Sequence, residues 1–197
     1  NLVLTLDARI QQATEKAIDE QLAFLQTKTP YKNAKAAAAV VMNPQTGEIL
    51  AMASRPTFNP NLFAVGISSK DWNTINNNPY FPMQNRVISG QYPPGSIYKI
   101  ITGTAALELG VVTPEEKILD TGKHWLIPKG NAEGEALGWI NFKEALAKLD
   151  NVYFYELGYR LGIDNLEKYS RMFGLGEPTG INLPGEASGL VANRQYK

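Results

Sequence analysis

Gly90–Ile100 reads GQYPPGSIYKI. Two prolines and a glycine break the chain, Ser96 follows at once, and Lys99 stands three residues on in a segment that is otherwise apolar. From Ile97 to Leu109 the only charged residues are Lys99 and Glu108, so the helix predicted there, closed by Gly110, buries most of its faces. Positions 96 and 99 then share one face, about a turn apart. Ser96 falls at the helix N-terminus, where unpaired amides and the dipole favour developing negative charge. Burial disfavours the charged form of a lysine. A neutral amine beside a hydroxyl takes its proton, which is what an activated serine nucleophile requires. A blander reading uses the same residues, with the serine as an ordinary cap and the lysine snorkelling out of the helix. Ser-x-x-Lys arises by chance roughly once in a chain of this length, so the tetrad alone leaves both readings open.

Composition narrows the classes. The 197 residues are 44% hydrophobic and carry 19 basic against 19 acidic side chains. That balance gives no electrostatic case for nucleic acid or an anionic membrane surface. There is no cysteine, which removes disulfides, thiolate chemistry and cysteine-based zinc sites. His124 is the only histidine, so a Ser-His-Asp triad requires it to lie beside Ser96. It sits in TGKHWLIPKG, which reads as a surface strand or loop, and one histidine without cysteine is poor material for a metal site. No run approaches the roughly 20 apolar residues that span a bilayer. The chain opens at Asn1 without an initiator methionine, which reads as a piece excised from something longer.

Outward from the tetrad, TLDARIQQATEKAIDEQLAFLQ spaces Ile10, Ala13, Ala17, Leu22 and Leu25 as a helix capped by Asp7. AKAAAAVVMNPQTGEILAMAS reads as two strands around a turn at Asn43 to Gly47, apolar enough to be covered on both faces in part. Arg55 to Gly95 reads as a long polar loop whose aromatics (Phe58, Phe63, Trp72, Tyr80, Phe81) pack down. Further helices are predicted at TPEEK (Thr113 cap, Glu116 capping box), NFKEALAK (Asn141 with Glu144), NVYFYELGYRLG ending at Gly162, and DNLEKYSRMFG (Asp164 with Glu167). Tyr153, Phe154, Tyr155 and Tyr159 read as helix core, and the chain after Gly174 as extended and glycine-rich.

NRVISGQYPPGSIYKI, preceded by AVVMNPQTGEILAMASRPTFNPNLF and followed by YFYELGYRLGIDNLEKYSRMFGLGEPTGINLPGE, resembles the transpeptidase domain of class B penicillin-binding proteins. The likeness is strongest to the elongation-type members that maintain rod shape, and it spans nearly the whole chain. It implies an α+β fold of the penicillin-binding-protein/serine β-lactamase type, an antiparallel sheet flanked by helices plus a mostly helical lobe. Residues 1–197 would then be a partial domain lacking the last sheet strands. The family's motifs are Ser-x-x-Lys, Ser-x-Asn and Lys-Thr-Gly. Carried over, Ser96 is the acylated nucleophile and Lys99 its base. At KLDN, Asn151 takes the second motif's asparagine position, while Leu149 occupies its serine position and is expected neither to relay a proton nor to hydrogen-bond Lys99.

No Lys-Thr-Gly occurs in the 197 residues. In the family that strand supplies an oxyanion-hole amide, and losing one such donor costs about 2.7–4 kcal/mol of transition-state stabilisation. The resemblance therefore implies an enzyme of which this polypeptide alone is not competent for turnover. The activity implied is D,D-transpeptidation of peptidoglycan stem peptides ending in D-Ala-D-Ala, through an acyl-serine that β-lactams trap. No cofactor is implied. The parent is expected on the outer face of the cytoplasmic membrane, anchored by a helix and working with cell-elongation membrane proteins. A serine β-lactamase shares the tetrad, and a non-catalytic penicillin-binding sensor or scaffold would accommodate Leu149; both remain open on the residues alone.

Overall fold

The computed structural model describes residues 3–196; residues 1, 2 and 197 of the expected domain 1–197 lie outside the described residues. The described residues up to Gly90, with Leu183–Ala187, form one compact unit, and those from Gln91 onward, apart from that segment, form another.

The first unit is built on a hairpin. Helix α1 (Ala8–Lys28) starts at Asp7, whose carboxylate accepts the backbone N–H groups of Arg9 and Ile10. Its half-buried stripe is Ile10, Thr14, Ile18, Leu22 and Leu25. Ala13 and Ala17, expected on that stripe, face solvent because the packed rows follow spacings of four. The helix lies on strands β1 (Ala37–Met42) and β2 (Ile49–Arg55), which pair antiparallel with Ala39 opposite Ala53. Arg55 ties strand to helix by donating to Asp19 at 2.6 Å and Glu15 at 3.3 Å.

The outer edge of β2 is closed by side-chain chemistry. Gln11 donates to the Met52 carbonyl at 2.9 Å and accepts the Met52 N–H at 2.8 Å, as a neighbouring strand would. Because the backbone groups of Met52 point away from β1, those of its partner Val40 point outward on the other edge. The sheet is covered on both faces in part, as expected. Helix α1 covers one face, and the Gln84–Arg86 stretch covers the β2 side of the other by bonding Met52 and Ser54, while Ala38, Val40 and Met42 of β1 stay exposed.

The region read as a long loop holds two short helices, α2 (Ser69–Asn76, capped by Ser68) and α3 (Arg86–Ser89, capped by Asn85), and a 3-10 turn at Pro60–Phe63. Its aromatics pack less than expected, since Phe63, Trp72, Tyr80 and Phe81 stay exposed. The segment is pinned by Arg86, whose buried guanidinium donates to the carbonyls of Tyr80 and Phe81.

In the second unit a 3-10 turn, Gly95–Tyr98, runs directly into α4 (Lys99–Glu108), which packs on α6 (Asn151–Met172). Strands β3 (Ile118–Asp120) and β4 (Gly138–Ile140) pair antiparallel, and α5 (Phe142–Ala147) leads back to α6. The core joins Ile101, Ala105, Val112, Ile140, Tyr153 and Leu157. Gly103 lets α4 close on α5, since a Cβ there would lie 2.8 Å from Cζ of Phe142. The capping box of Asn141 and Glu144 forms as expected. Two helices do meet at Gly162, which breaks α6 with φ 70° and ψ 166°. The Asp164 carboxylate, however, goes to Arg194 rather than to a cap.

TPEEK forms a turn and not a helix. Too few residues separate Thr113 from β3, and the Glu116 carboxylate meets Arg160 at 2.7 Å instead of closing a capping box. In the aromatic set, Tyr153 and Phe154 are core, Tyr155 is half-buried and Tyr159 is exposed.

An apolar strand edge with outward-facing amides templates further pairing. The 197-residue polypeptide is expected to self-associate through β1 in sedimentation velocity. Val40→Lys, at an exposed site where the stability change should stay within about 0.5 kcal/mol, should suppress that association.

Candidate active site

Three side chains named from the sequence meet at one point. Lys99 is buried, and its Nζ donates to Asn151 Oδ1 at 2.7 Å and to the backbone carbonyl of Leu149. Ser96 Oγ lies 3.4 Å from the same nitrogen. The ring of Phe154 stands 5.7 Å from it. Ser96 is exposed, at the wall of a cavity of about 320 Å³ that Tyr98, Thr102, Asn151 and Tyr155 also line.

Local chemistry places the serine. Gly95 takes a left-handed φ of 61°, which turns the chain out of Pro93–Pro94 and into the 3-10 turn. No side chain caps that turn, so the Ser96 hydroxyl is not spent on the backbone. Tyr98 secures the turn from below. Its hydroxyl lies 2.7 Å from Ser170 Oγ, and Ser170 itself donates to the Leu166 carbonyl, which leaves Tyr98 as the donor. The capped-serine and snorkelling-lysine reading therefore fails on both counts.

Burial is the main cause that holds Lys99 below the usual lysine range, with the nearby Asp150 carboxyl acting in the opposite direction. Three oxygens lie within reach of Nζ, the carbonyls of Leu149 and Asn151 and Ser96 Oγ. On losing a proton the amine keeps two N–H groups for the carbonyls and has a lone pair for Ser96. Such an arrangement can move a proton from hydroxyl to amine.

Leu149 corrects one expectation. Its side chain offers no hydrogen bond and is exposed, but its carbonyl accepts from Lys99. A left-handed φ of 55° is part of the turn that leads into α6 there. The leucine thus holds the lysine through the one group that every residue carries.

Four participants had no signature in the sequence. Asn131 Oδ1 accepts the backbone N–H of Asn151 at 2.7 Å and of Val152 at 3.4 Å. Its Nδ2 donates to Asp120 at 2.8 Å and lies 3.4 Å from Asp150. Asp150 caps α6 by accepting from Tyr153 N–H at 2.7 Å. Burial pushes the Asp150 carboxyl up, and the neighbouring Asp120 adds to that shift. Asn151 Nδ2 donates to the Gly130 carbonyl at 3.1 Å, which orients its oxygen to Lys99. The fourth participant, Tyr98, sits inside the quoted stretch but reads there as one more apolar residue.

His124 is not a surface residue. Its ring is buried, with Nε2 3.1 Å from Glu156 and Nδ1 accepting the backbone N–H groups of Leu126 and Ile127. Both nitrogens are occupied away from Ser96, so it forms no triad with that serine.

The penicillin binding protein transpeptidase domain matches residues 37–197, and the chain belongs to that family. Among curated proteins, the peptidoglycan D,D-transpeptidase MrdA of Escherichia coli strain K12 is 35% identical over 204 residues, covering 100% of this chain and 30% of the relative. The chain thus spans about a third of that relative's length. Among solved structures, Pseudomonas aeruginosa PBP2 in complex with WCK 5153 superposes with a TM-score of 0.83 at 35% identity, covering 98% of this chain and 42% of that one. A complex between PBP2 and MreC from Helicobacter pylori superposes with a TM-score of 0.81 at 31% identity, over 98% and 34%. The fold is the α+β transpeptidase fold expected from the resemblance.

Among the described residues, Asn131 is the only side chain that bonds both buried carboxyls and the start of α6. Asn131→Ala should cost about 2–3 kcal/mol, the sum of a lost cap and a buried acceptor left unpaired. Chemical denaturation of the variant measures it.

Proposed function

We propose that this chain carries the acylation centre of a peptidoglycan D,D-transpeptidase. The observation that carries the reading is the buried Lys99 amine, held by two carbonyl oxygens and facing the uncapped Ser96 hydroxyl. Ser96 Oγ attacks the carbonyl between the terminal D-alanines of a stem peptide as its proton passes to Lys99. The tetrahedral intermediate collapses, Lys99 returns the proton to the departing D-alanine amine, and the acyl-serine is left for an amine of a neighbouring strand. β-Lactams present a strained amide to the same serine. Asn151 both orients Lys99 and lines the cavity in which the peptide would lie.

Leu149 removes one route for the proton. With no hydroxyl at that position, Lys99 alone carries it in both directions. The same reading gives the protein a place at the extracytoplasmic face of the cell membrane and a cell-elongation partner, as in the Helicobacter pylori complex with MreC. Among the described residues, no helix is long and apolar enough to cross a membrane. A β-lactamase would release its acyl group quickly, whereas a transpeptidase centre keeps it.

The intact protein incubated with a labelled penicillin should gain one adduct by mass, lasting and absent from Ser96→Ala. Since the neutral form of Lys99 is the reactive one, the acylation rate should rise with pH and level off. The inflection should lie below that of a free lysine, because burial lowers this group. No adduct in the intact protein, or a rate that falls as pH rises, sinks the reading.

Leu149→Ser keeps the backbone carbonyl on Lys99 and puts a hydroxyl on the same residue. A second proton path of this kind should accelerate acylation about tenfold or more, read by stopped-flow labelling.

A further inference from the structure

The second unit holds another cavity, of about 360 Å³, formed by the β3–β4 hairpin, the loop around His124 and the first turns of α6. Trp125 and Trp139 line it although they are 69% and 64% exposed. Trp125 is not loose. Its indole N–H donates to Glu156 at 3.1 Å, and its ring meets Tyr159 edge-on at 5.2 Å between centroids. Glu156 is itself fixed by the buried His124 at 3.1 Å and by Arg160 at 2.8 Å. A buried polar support therefore holds an aromatic ring by its edge and leaves much of it to solvent. Trp139 stands directly opposite Leu119 in the hairpin register, so both exposed side chains project from one face.

The remaining walls mix apolar side chains (Ile118, Leu119, Val152) with the paired Glu156 and Arg160 and two lysines. Lys117 and Lys123 line the cavity, both exposed and neither in an ion pair among the described residues. Lysine is depleted at protein–protein interfaces, whereas a concave site with aromatic walls and a few polar groups suits a small, rigid ligand unit. Pyranose rings present flat C–H faces to indoles, and unpaired ammonium groups suit the carboxylates of an acidic substituent. Val152 and Glu156 of α6 line this cavity, while Asn151 and Tyr155 of the same two turns line the Ser96 cavity.

We infer that the Trp125–Trp139 cavity is a saccharide subsite that holds the glycan backbone of the peptidoglycan strand whose stem peptide reaches Ser96. The inference rests on the reading of the serine centre given above for the identity of the polymer, not for the geometry of the cavity. The two tryptophans stack on successive sugars, and Lys117 and Lys123 meet carboxylates of the attached peptides. Holding the strand at a second point raises the effective concentration of the peptide at the serine.

The test uses the intact protein carrying Ser96→Ala, which cannot be acylated there. It is titrated with soluble, uncross-linked peptidoglycan strands and with the same strands stripped of their peptides by an amidase, following tryptophan fluorescence and calorimetric heat. Both should bind, the stripped strands more weakly. Trp125→Ala and Trp139→Ala should each weaken binding of stripped strands about tenfold, in the range of a lost aromatic stacking contact. Lys123→Glu, on an exposed side chain whose loss leaves the core intact, should weaken only the peptide-bearing strands. Melting temperatures of the variants separate a lost contact from a lost fold.

Stripped strands that do not bind, or that bind folded tryptophan variants as tightly as the parent, overturn the inference. So does a Trp139→Ala variant whose only change is a smaller sedimentation coefficient, since the face would then be a protein contact. Penicillin labelling of the unmodified serine is read separately. Its absence would defeat the serine reading while leaving the glycan titration to stand on its own.

Discussion

A lysine amine removed from water and given two carbonyl oxygens is the interaction on which the site in the second unit depends. Burying an ammonium without partners is prohibitive, and burying an amine with matched acceptors is not. Lys99 finds its acceptors at the start of α6, in the carbonyl of Leu149 and the amide oxygen of Asn151. That requirement ties the first turn of α4 to the first turn of α6. It also leaves the serine one turn earlier as the remaining group within reach.

The acceptors are in turn held by a half-buried asparagine and two buried carboxyls. Asp120 and Asp150 are both buried, and Asn131 donates toward each while accepting from the α6 backbone. Burial pushes the Asp150 carboxyl up, and the neighbouring Asp120 adds to that push. The arrangement sets the N-terminus of α6 firmly enough that Asn151 points its oxygen at Lys99 and its amide nitrogen at Gly130. Opposite, Tyr98 and Ser170 hold the turn that carries Ser96. The Ser96–Lys99 geometry is thus fixed from both sides by hydrogen bonds rather than by apolar packing alone.

Much of the fold was legible because its signals are local. Asp7, Asn141 and Gly162 act through atoms within a few residues, and each acts where its residue type suggested. The same logic misled at TPEEK, where the long-range ion pair of Glu116 with Arg160 replaced a local box. At the hairpin the apolar run read correctly, since α1 lies on one face and the Gln84–Arg86 stretch covers the β2 side of the other. At His124 the error was larger. A polar flank suggested a surface loop, yet the ring is buried because Glu156, thirty-two positions away, satisfies it.

The sequence by itself determined the serine–lysine spacing, the chain break at two prolines and a glycine before it, and the asparagine at position 151. These are properties of residue type and short separation, and they survive in a string of letters. Only the tertiary structure decided that a leucine in a serine's position still holds the lysine. A backbone carbonyl belongs to every residue, so nothing in the letter marks it as an acceptor fifty positions from its donor. Asn131 and the exposed tryptophans belong to the same category. Their roles are set by which groups the fold brings within hydrogen-bonding or stacking distance, and that depends on burial, not on spacing along the chain.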